Sequence, residues 1–250
     1  MSTEDGPAWD FYPCHLDGGA ASIFLDLRFE HGTRPPTANT LYRVRVQMLE
    51  PDEHGMGTET ESTAFSEIED VMSTRASQDE LIYVGRIRSG GIWELAFYGP
   101  ADRKDTLQAI RDLFVGRRTY ADVRPDVDWG YYREFLVPDD ERRQWMEDRR
   151  LTDVLLEHGD PLTTPRRVDH WAYFASAEAR DRYVTAAKQA GFALEQASQG
   201  EQGERPFVAQ LHRVDSVELE QIHDAVMRLH DLAKQEGGDY DGWESQVERA

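Results

Sequence analysis

From residue 139 onward the hydrophobic period changes in an order that leaves few folds open. A helical segment leads, with Asp139 and Asp140 where anionic side chains favour a helix start and Leu151, Val154 and Leu155 as its core face. RRVDHWAYF then alternates with period two, placing Val168, His170, Ala172 and Phe174 on one face and Asp169, Trp171 and Tyr173 on the other. Ser176 is a good N-cap for a helix lined by Tyr183, Ala186, Ala187 and Ala190, and Gly191 sits where helices end. FALEQASQ and PFVAQLHRV read as paired strands around the turn-rich loop GEQGER. The next helix carries Leu219, Ile222, Val226, Leu229 and Ala233 within about 80° of arc, a narrow stripe suited to packing on a sheet.

The chain then continues GGDYDGWESQV. Tails seldom hold a Tyr and a Trp, since they lack apolar surface to repay ordering. A strand here, with Trp243 and Val247 on one face, completes βαββαβ, the ferredoxin-like arrangement, behind an extra leading helix.

The first half predicts a second α+β domain, an antiparallel sheet with two helices. SIFLDLRF and TLYRVRVQML alternate as strands, EPDEHGMGTETES is polar loop, and a helix runs from Thr63 to about Gln78 through Phe65, Ile68, Val71 and Met72. LIYVGRIR and GIWELAFYG form a hairpin around Ser89-Gly90-Gly91. A helix capped by Asp102 follows, then the short strand RTYADVR and an aromatic-rich segment ending at Pro138. The boundary is placed there, giving domains 1–138 and 139–250.

The net charge is −20, and each half carries 24 acidic and 14 basic residues. Such a surface repels nucleic acid and anionic membrane and attracts basic protein segments. No run reaches the ~18 apolar residues that would span a bilayer. The start MSTEDGPAWD has neither the basic end nor the apolar run of a secretory signal, and the single cysteine, Cys14, permits no internal disulfide. These features predict a cytoplasmic protein.

Chemistry-bearing patterns are sparse. His158, His170, His212, His223 and His230 are candidate metal ligands, but His223 and His230 lie roughly 10.5 Å apart along a helix, too far for one zinc. His170 and His212 fall on neighbouring strands without an evident third ligand. No phosphate-cradling glycine motif is present, and adjacency of Cys14 and His15 does not aim a thiol at an imidazole. The arginine pairs 142–143 and 149–150 are interleaved with acids, as on a solvated helix face. Asp169 is the carboxylate to inspect as a general acid, against the plainer reading of a charge at a sheet edge. No catalytic residue, metal or cofactor is assigned.

Two motifs in order, R-x-V-x-H-W-x-Y-F at 166–174 and G-G-x-Y-D-G-W-E at 237–244, with Gly159-Asp160 ahead of them, resemble the regulators of ribonuclease E activity, type B. The resemblance covers about residues 145–248. It implies a ferredoxin-like fold and a small acidic cytoplasmic protein that binds ribonuclease E, or its scaffold region, and inhibits RNA processing; it brings no catalytic residues. YVGRIRSGGIWELAFYG and the pattern of Asp126, Trp129, Tyr131, Tyr132, Phe135, Leu136 and Pro138 resemble the domain of unknown function 695, over about residues 8–138.

Partner-binding candidates are Glu220, Asp224 and Asp231, opposite the apolar stripe of the last helix, and Trp171. For Trp171 and Trp243, core packing, contact with the first domain and contact with a partner all remain open. The alternative function is a small-molecule module or enzyme in the first domain, with a pocket lined by Trp93, Tyr98, Trp129 or Tyr131 beside a buried carboxylate.

Overall fold

A computed structural model describes residues 6–200 and 203–249. The first five residues of the N-terminal segment, and Glu201 and Gln202 of the turn-rich loop, lie outside the described residues. Two compact units, residues 1–143 and 144–250, divide the chain. No described helix is long and apolar enough to cross a membrane.

The first unit is a six-stranded antiparallel sheet in the order β1-β2-β4-β5-β3-β6. Its strands are β1 (Trp9–Leu16), β2 (Gly19–Asp26), β3 (Thr40–Gln47), β4 (Ile82–Ser89), β5 (Ile92–Gly99) and β6 (Thr119–Pro125). β1 escapes the periodicity because Pro13 interrupts it; an edge strand tolerates a proline that an inner strand would not. Helices α2 (Glu59–Gln78) and α3 (Lys104–Asp112) cover one face, with Phe65, Met72, Leu107 and Ile110 packed on Tyr42, Val44, Val46, Trp93, Leu95 and Phe97.

Three local readings change. α2 starts inside the stretch read as loop, because Thr58 caps it by accepting from the Glu61 amide at 3.2 Å. Asp102 does not cap α3: it pairs with Arg103, which itself holds the cap position without a side-chain capping bond to the helix. The unit also has more helical structure than two helices, adding the single turn α1 (Arg28–His31) and a π-helical turn at Tyr132–Leu136.

The aromatic segment before Pro138 closes the other sheet face. Trp129 stacks on Tyr98 with ring centres 4.0 Å apart and donates to the Ala38 carbonyl at 2.6 Å. Tyr132 donates to the Asp26 carbonyl and Tyr12 to the Leu136 carbonyl, both at 2.7 Å. Asp126 accepts from Tyr98 Oη (2.6 Å) and from the amides of Gly130 (2.8 Å) and Tyr131 (3.0 Å). Burial pushes its carboxyl up, but these donors win and hold it below the usual carboxylate range.

In the second unit, β7 (Arg166–Phe174), β8 (Ala193–Gln199), β9 (Phe207–Asp215) and β10 (Asp239–Ser245) form an antiparallel sheet in the order β10-β7-β9-β8. Helices α5 (Ala177–Gln189) and α6 (Leu219–Gln235) cover one face, completing βαββαβ behind α4 (Asp140–Glu157). GGDYDGWE is therefore the edge strand β10. A side chain at Gly238 would place Cβ 2.2 Å from the Phe174 ring, and Gly242 sits at φ +138° where the pairing with β7 shifts register. Trp243 is buried on the helix-covered face; Val247 lies beyond the strand and is exposed.

The leading helix differs most from expectation. Leu151 and Val154 are exposed, and only Leu155 of the expected trio is buried. The buried side of α4 includes Gln144, Asp148 and Thr152, a polar stripe at spacing four that apolar periodicity cannot detect. Asp148, with no exposure, accepts from Gln144 Nε2 (3.1 Å) and Trp243 Nε1 (3.0 Å), and its other oxygen lies 2.8 Å from His223 Nδ1.

Two more buried polar contacts use the signature residues. Arg166 grips Asp160 with both terminal nitrogens, the second at 2.8 Å, and reaches the Gln246 carbonyl at 3.2 Å. Asp160 also accepts from the Leu162 and Glu248 amides at 2.8 Å each. Arg166 leads the groups that hold the Asp160 carboxyl down at about 2. The residues after β10 are thereby tied to the start of β7. On the helix-covered face, His170 Nδ1 lies 2.8 Å from Tyr240 Oη, and burial drives the imidazole down to about 3, so it is neutral.

Two outcomes follow. Trp243→Phe keeps an aromatic ring but removes both the donor to a buried carboxylate and part of the indole's buried volume, so urea unfolding should show a loss of at least about 1–3 kcal/mol with little change in slope. Because His170 charges only in the unfolded chain, its contribution is complete above pH ~6.5 and fades as pH falls toward about 3. Between those limits stability should fall by about 1.4 kcal/mol per pH unit more steeply than in His170→Phe, as read from chemical unfolding at several pH values.

Candidate functional site

With Arg166, His170, Tyr240 and Trp243 committed to the interior, the remaining signature side chains define the outer surface. Strand parity sends Asp169, Trp171 and Tyr173 to the sheet face opposite α5 and α6, and β10 register sets Gly242 beside Trp171 and Glu244 beside Asp169. The missing side chain at Gly242 opens the sheet there. A groove of about 360 Å³ results, with Trp171 and Tyr173 in its wall, Leu151 and Glu147 of α4 along one side, and Asp241 and Glu244 of β10 along the other. Three carboxylates and no basic group line it. A half-buried indole ringed by acids suits a guanidinium or ammonium group, which the ring face and the carboxylates both attract.

Glu220, Asp224 and Asp231 are exposed on α6, as their spacing predicts, but Arg228 is exposed between the last two and dilutes the stripe. α6 packs on the sheet face that holds Ala172 and Leu211, whereas Trp171 faces the other way. The structure therefore does not unite Trp171 with the α6 acids; they are separate surfaces.

Asp169 is held by Arg167 through two bonds (2.7 and 2.9 Å) and accepts from Gln210 Nε2 at 3.3 Å. Arg167 leads the groups that keep its carboxyl low, the reverse of what a general acid requires. The histidines do not converge. Register pairs His170 with Leu211, so His212 lies on the opposite sheet face, 3.5 Å from Glu195. His158 sits 2.7 Å from the Val154 carbonyl, His223 serves Asp148, and His230 lies 3.7 Å from Asp231. Among the described residues, no group of three or more His, Cys, Asp or Glu side chains could hold a metal ion. Arg142 and Arg149 pair along α4 with Asp139 (2.9 Å) and Asp153 (2.7 Å).

In the first unit, Trp93, Tyr98 and Trp129 are packed in the interior, and of the four aromatics named for a pocket only Tyr131 lines an open groove. Of the residues that line this groove, the sequence singles out Trp171 and Trp243 as candidate contacts. Tyr173 was legible from parity with Trp171; Glu147, Asp241 and Glu244 required the α4 packing and the bulge at Gly242.

Residues 7–137 match the model of a "Family of unknown function (DUF695)", and residues 145–245 match "Regulator of ribonuclease activity B". No curated protein matches the chain. Among solved structures, an unknown protein from Galdieria sulphuraria is 9% identical, covering 81% of this chain and 96% of its own, with a TM-score of 0.22. A putative glycine cleavage system transcriptional repressor is 10% identical over 83% and 98%, with a TM-score of 0.28. Scores that low carry no weight for fold or function. The second family match supports a regulatory role in RNA processing. The chain belongs, through residues 7–137, to the family of unknown function 695, and its residues 145–245 match the model of the regulator of ribonuclease activity B.

Proposed function

We propose that the protein acts by binding: it engages ribonuclease E, or a related RNA-processing enzyme, and restrains RNA processing by occluding the enzyme or its scaffold. The observation that carries this reading is the groove beside Trp171, in the unit matched to the ribonuclease regulators, whose ionisable lining is entirely acidic. An enzyme that handles RNA presents basic segments, and an arginine from such a segment fits this groove with its plane on Trp171 and its donors toward Asp241 and Glu244. RNA itself is repelled by the same carboxylates, so a protein held there keeps RNA from the basic segment it covers.

The α6 acids Glu220, Asp224 and Asp231 form a second, more exposed surface. Exposed charges of that kind chiefly raise association rates and are screened by salt.

Trp171→Ala combined with Glu244→Lys should weaken capture of the ribonuclease in a quantitative pulldown by about 30-fold, with the melting temperature of the variant reported alongside. Reversing Glu220, Asp224 and Asp231 should lower capture less and make it less salt-sensitive. Capture unchanged by either set removes the corresponding surface, and a wild-type chain that captures no ribonuclease removes the function.

A further inference from the structure

α4 is built partly inside out. Its buried side includes the polar stripe Gln144, Asp148 and Thr152, while Leu151, Val154 and Leu156 stand 41%, 49% and 52% exposed. A lone exposed leucine is ordinary, but neighbouring apolar side chains that continue a groove mark a contact surface.

Helix geometry sorts the three. At 100° per residue Leu151 and Val154 lie about 60° apart, with Glu147 between them, whereas Leu156 falls about 140° away from Leu151 on the opposite flank. Glu147 and Leu151 both line the groove beside Trp171. Val154, within about 20° of Glu147, therefore faces the same way.

α4 and β10 run in the same direction past this groove. Asp148 accepts from Trp243 Nε1, and Asp160, just beyond the helix end, accepts from the Glu248 amide. Val154 is about 4.5 Å farther along the axis than Leu151, so it extends the flank toward the helix end. The surface thus changes character along its length. An aromatic and acidic pocket at Trp171, Asp241 and Glu244 gives way to an aliphatic shelf made by Leu151 and Val154. Arg150, about 40° beyond Val154, marks where the helix turns to solvent.

We infer that this shelf receives an aliphatic side chain from the same basic segment whose arginine enters the groove. The recognised segment is therefore amphipathic, with a leucine-like or valine-like residue about 6–10 Å from the arginine, the rise of α4 from Glu147 to Leu151 or Val154. The inference rests on ribonuclease binding as proposed above, and adds what the partner must present besides charge. Charge also selects this occupant over others. A second copy related by a two-fold axis would bring Glu147, Asp241 and Glu244 near their own counterparts. An anionic membrane is repelled by the same acids. A basic segment is attracted by the acids and takes the aliphatic pair out of water, which is worth about 10-fold in affinity.

Binding of the immobilised full chain to ribonuclease E, measured by interferometry at low and high salt, tests this. The variants are Leu151→Gln with Val154→Gln, Glu244→Lys alone, and Leu156→Gln alone; glutamine keeps helix propensity and adds no charge. The double variant should keep the wild-type melting temperature and bind about 10-fold more weakly at both salt concentrations. The loss in Glu244→Lys should shrink at high salt, and Leu156→Gln should bind as the wild type does. Wild-type affinity in the double variant, or an equal loss in Leu156→Gln, would overturn the shelf and leave ribonuclease binding standing. Light scattering that shows a dimer broken by the double variant would assign the shelf to self-association and overturn the inference. A wild-type chain that binds no ribonuclease would overturn both.

Discussion

A single carboxylate organises the second unit. Asp148 is wholly buried, and a charge without partners there would be costly enough to unfold a small domain. Its partners come from three places: Gln144 one turn earlier on α4, His223 on α6 and Trp243 on β10. None of these elements can shift without leaving the charge exposed to an apolar interior. The contact therefore fixes β10 against the sheet edge and α4 against β10. With β10 in that register, Asp241 and Glu244 come to lie beside Trp171 and Tyr173, which β7 parity already places on the open face, and so an interior bond helps to set the outer groove.

The first unit repeats the device with other residues. Glu61, in the first turn of α2, is buried and accepts from Trp93 Nε1 at 3.1 Å, from the amides of Leu49 and Glu50 at 3.2 Å each, and from Arg117. Burial pushes its carboxyl up, but Arg117, Trp93 and the Glu50 amide outweigh that and hold it low. In each unit a carboxylate taken out of water is held by an indole N–H from a strand. Much of the aromatic content of this acidic chain thus serves to bury acids safely, as well as to fill cores that are modest in aliphatic residues.

This division explains what the sequence could and could not show. βαββαβ was legible because α5, α6, β7 and β9 follow simple apolar periods, and because the glycines and aromatics around Tyr240 and Trp243 make little sense as a tail. Leu151 and Val154 of α4 suggest a core face in the sequence yet lie exposed, because much of the inward side is polar and a polar stripe at spacing four resembles a solvated face until its partners are seen. β1 leaves no clear period in the sequence because Pro13 breaks its alternation. Trp171 could be named but not oriented, since parity alone does not say which face the helices cover. The acids that join it come from α4 and β10, distant in sequence and brought together only by the Asp148 contact and the register shift at Gly242.

Most of the motif that marks the second unit is accordingly structural: Arg166, His170, Gly238, Tyr240, Gly242 and Trp243 each have an interior or backbone role. Recognition falls to the residues between them. Native-state amide hydrogen exchange tests this most directly, through the β10 amides bonded to β7 and the indole N–H of Trp243. If β10 is locked as described, these protons exchange only with global unfolding and share the stability of the β7 and β9 amides. Exchange through local fraying, at rates typical of an unstructured tail, would contradict the account.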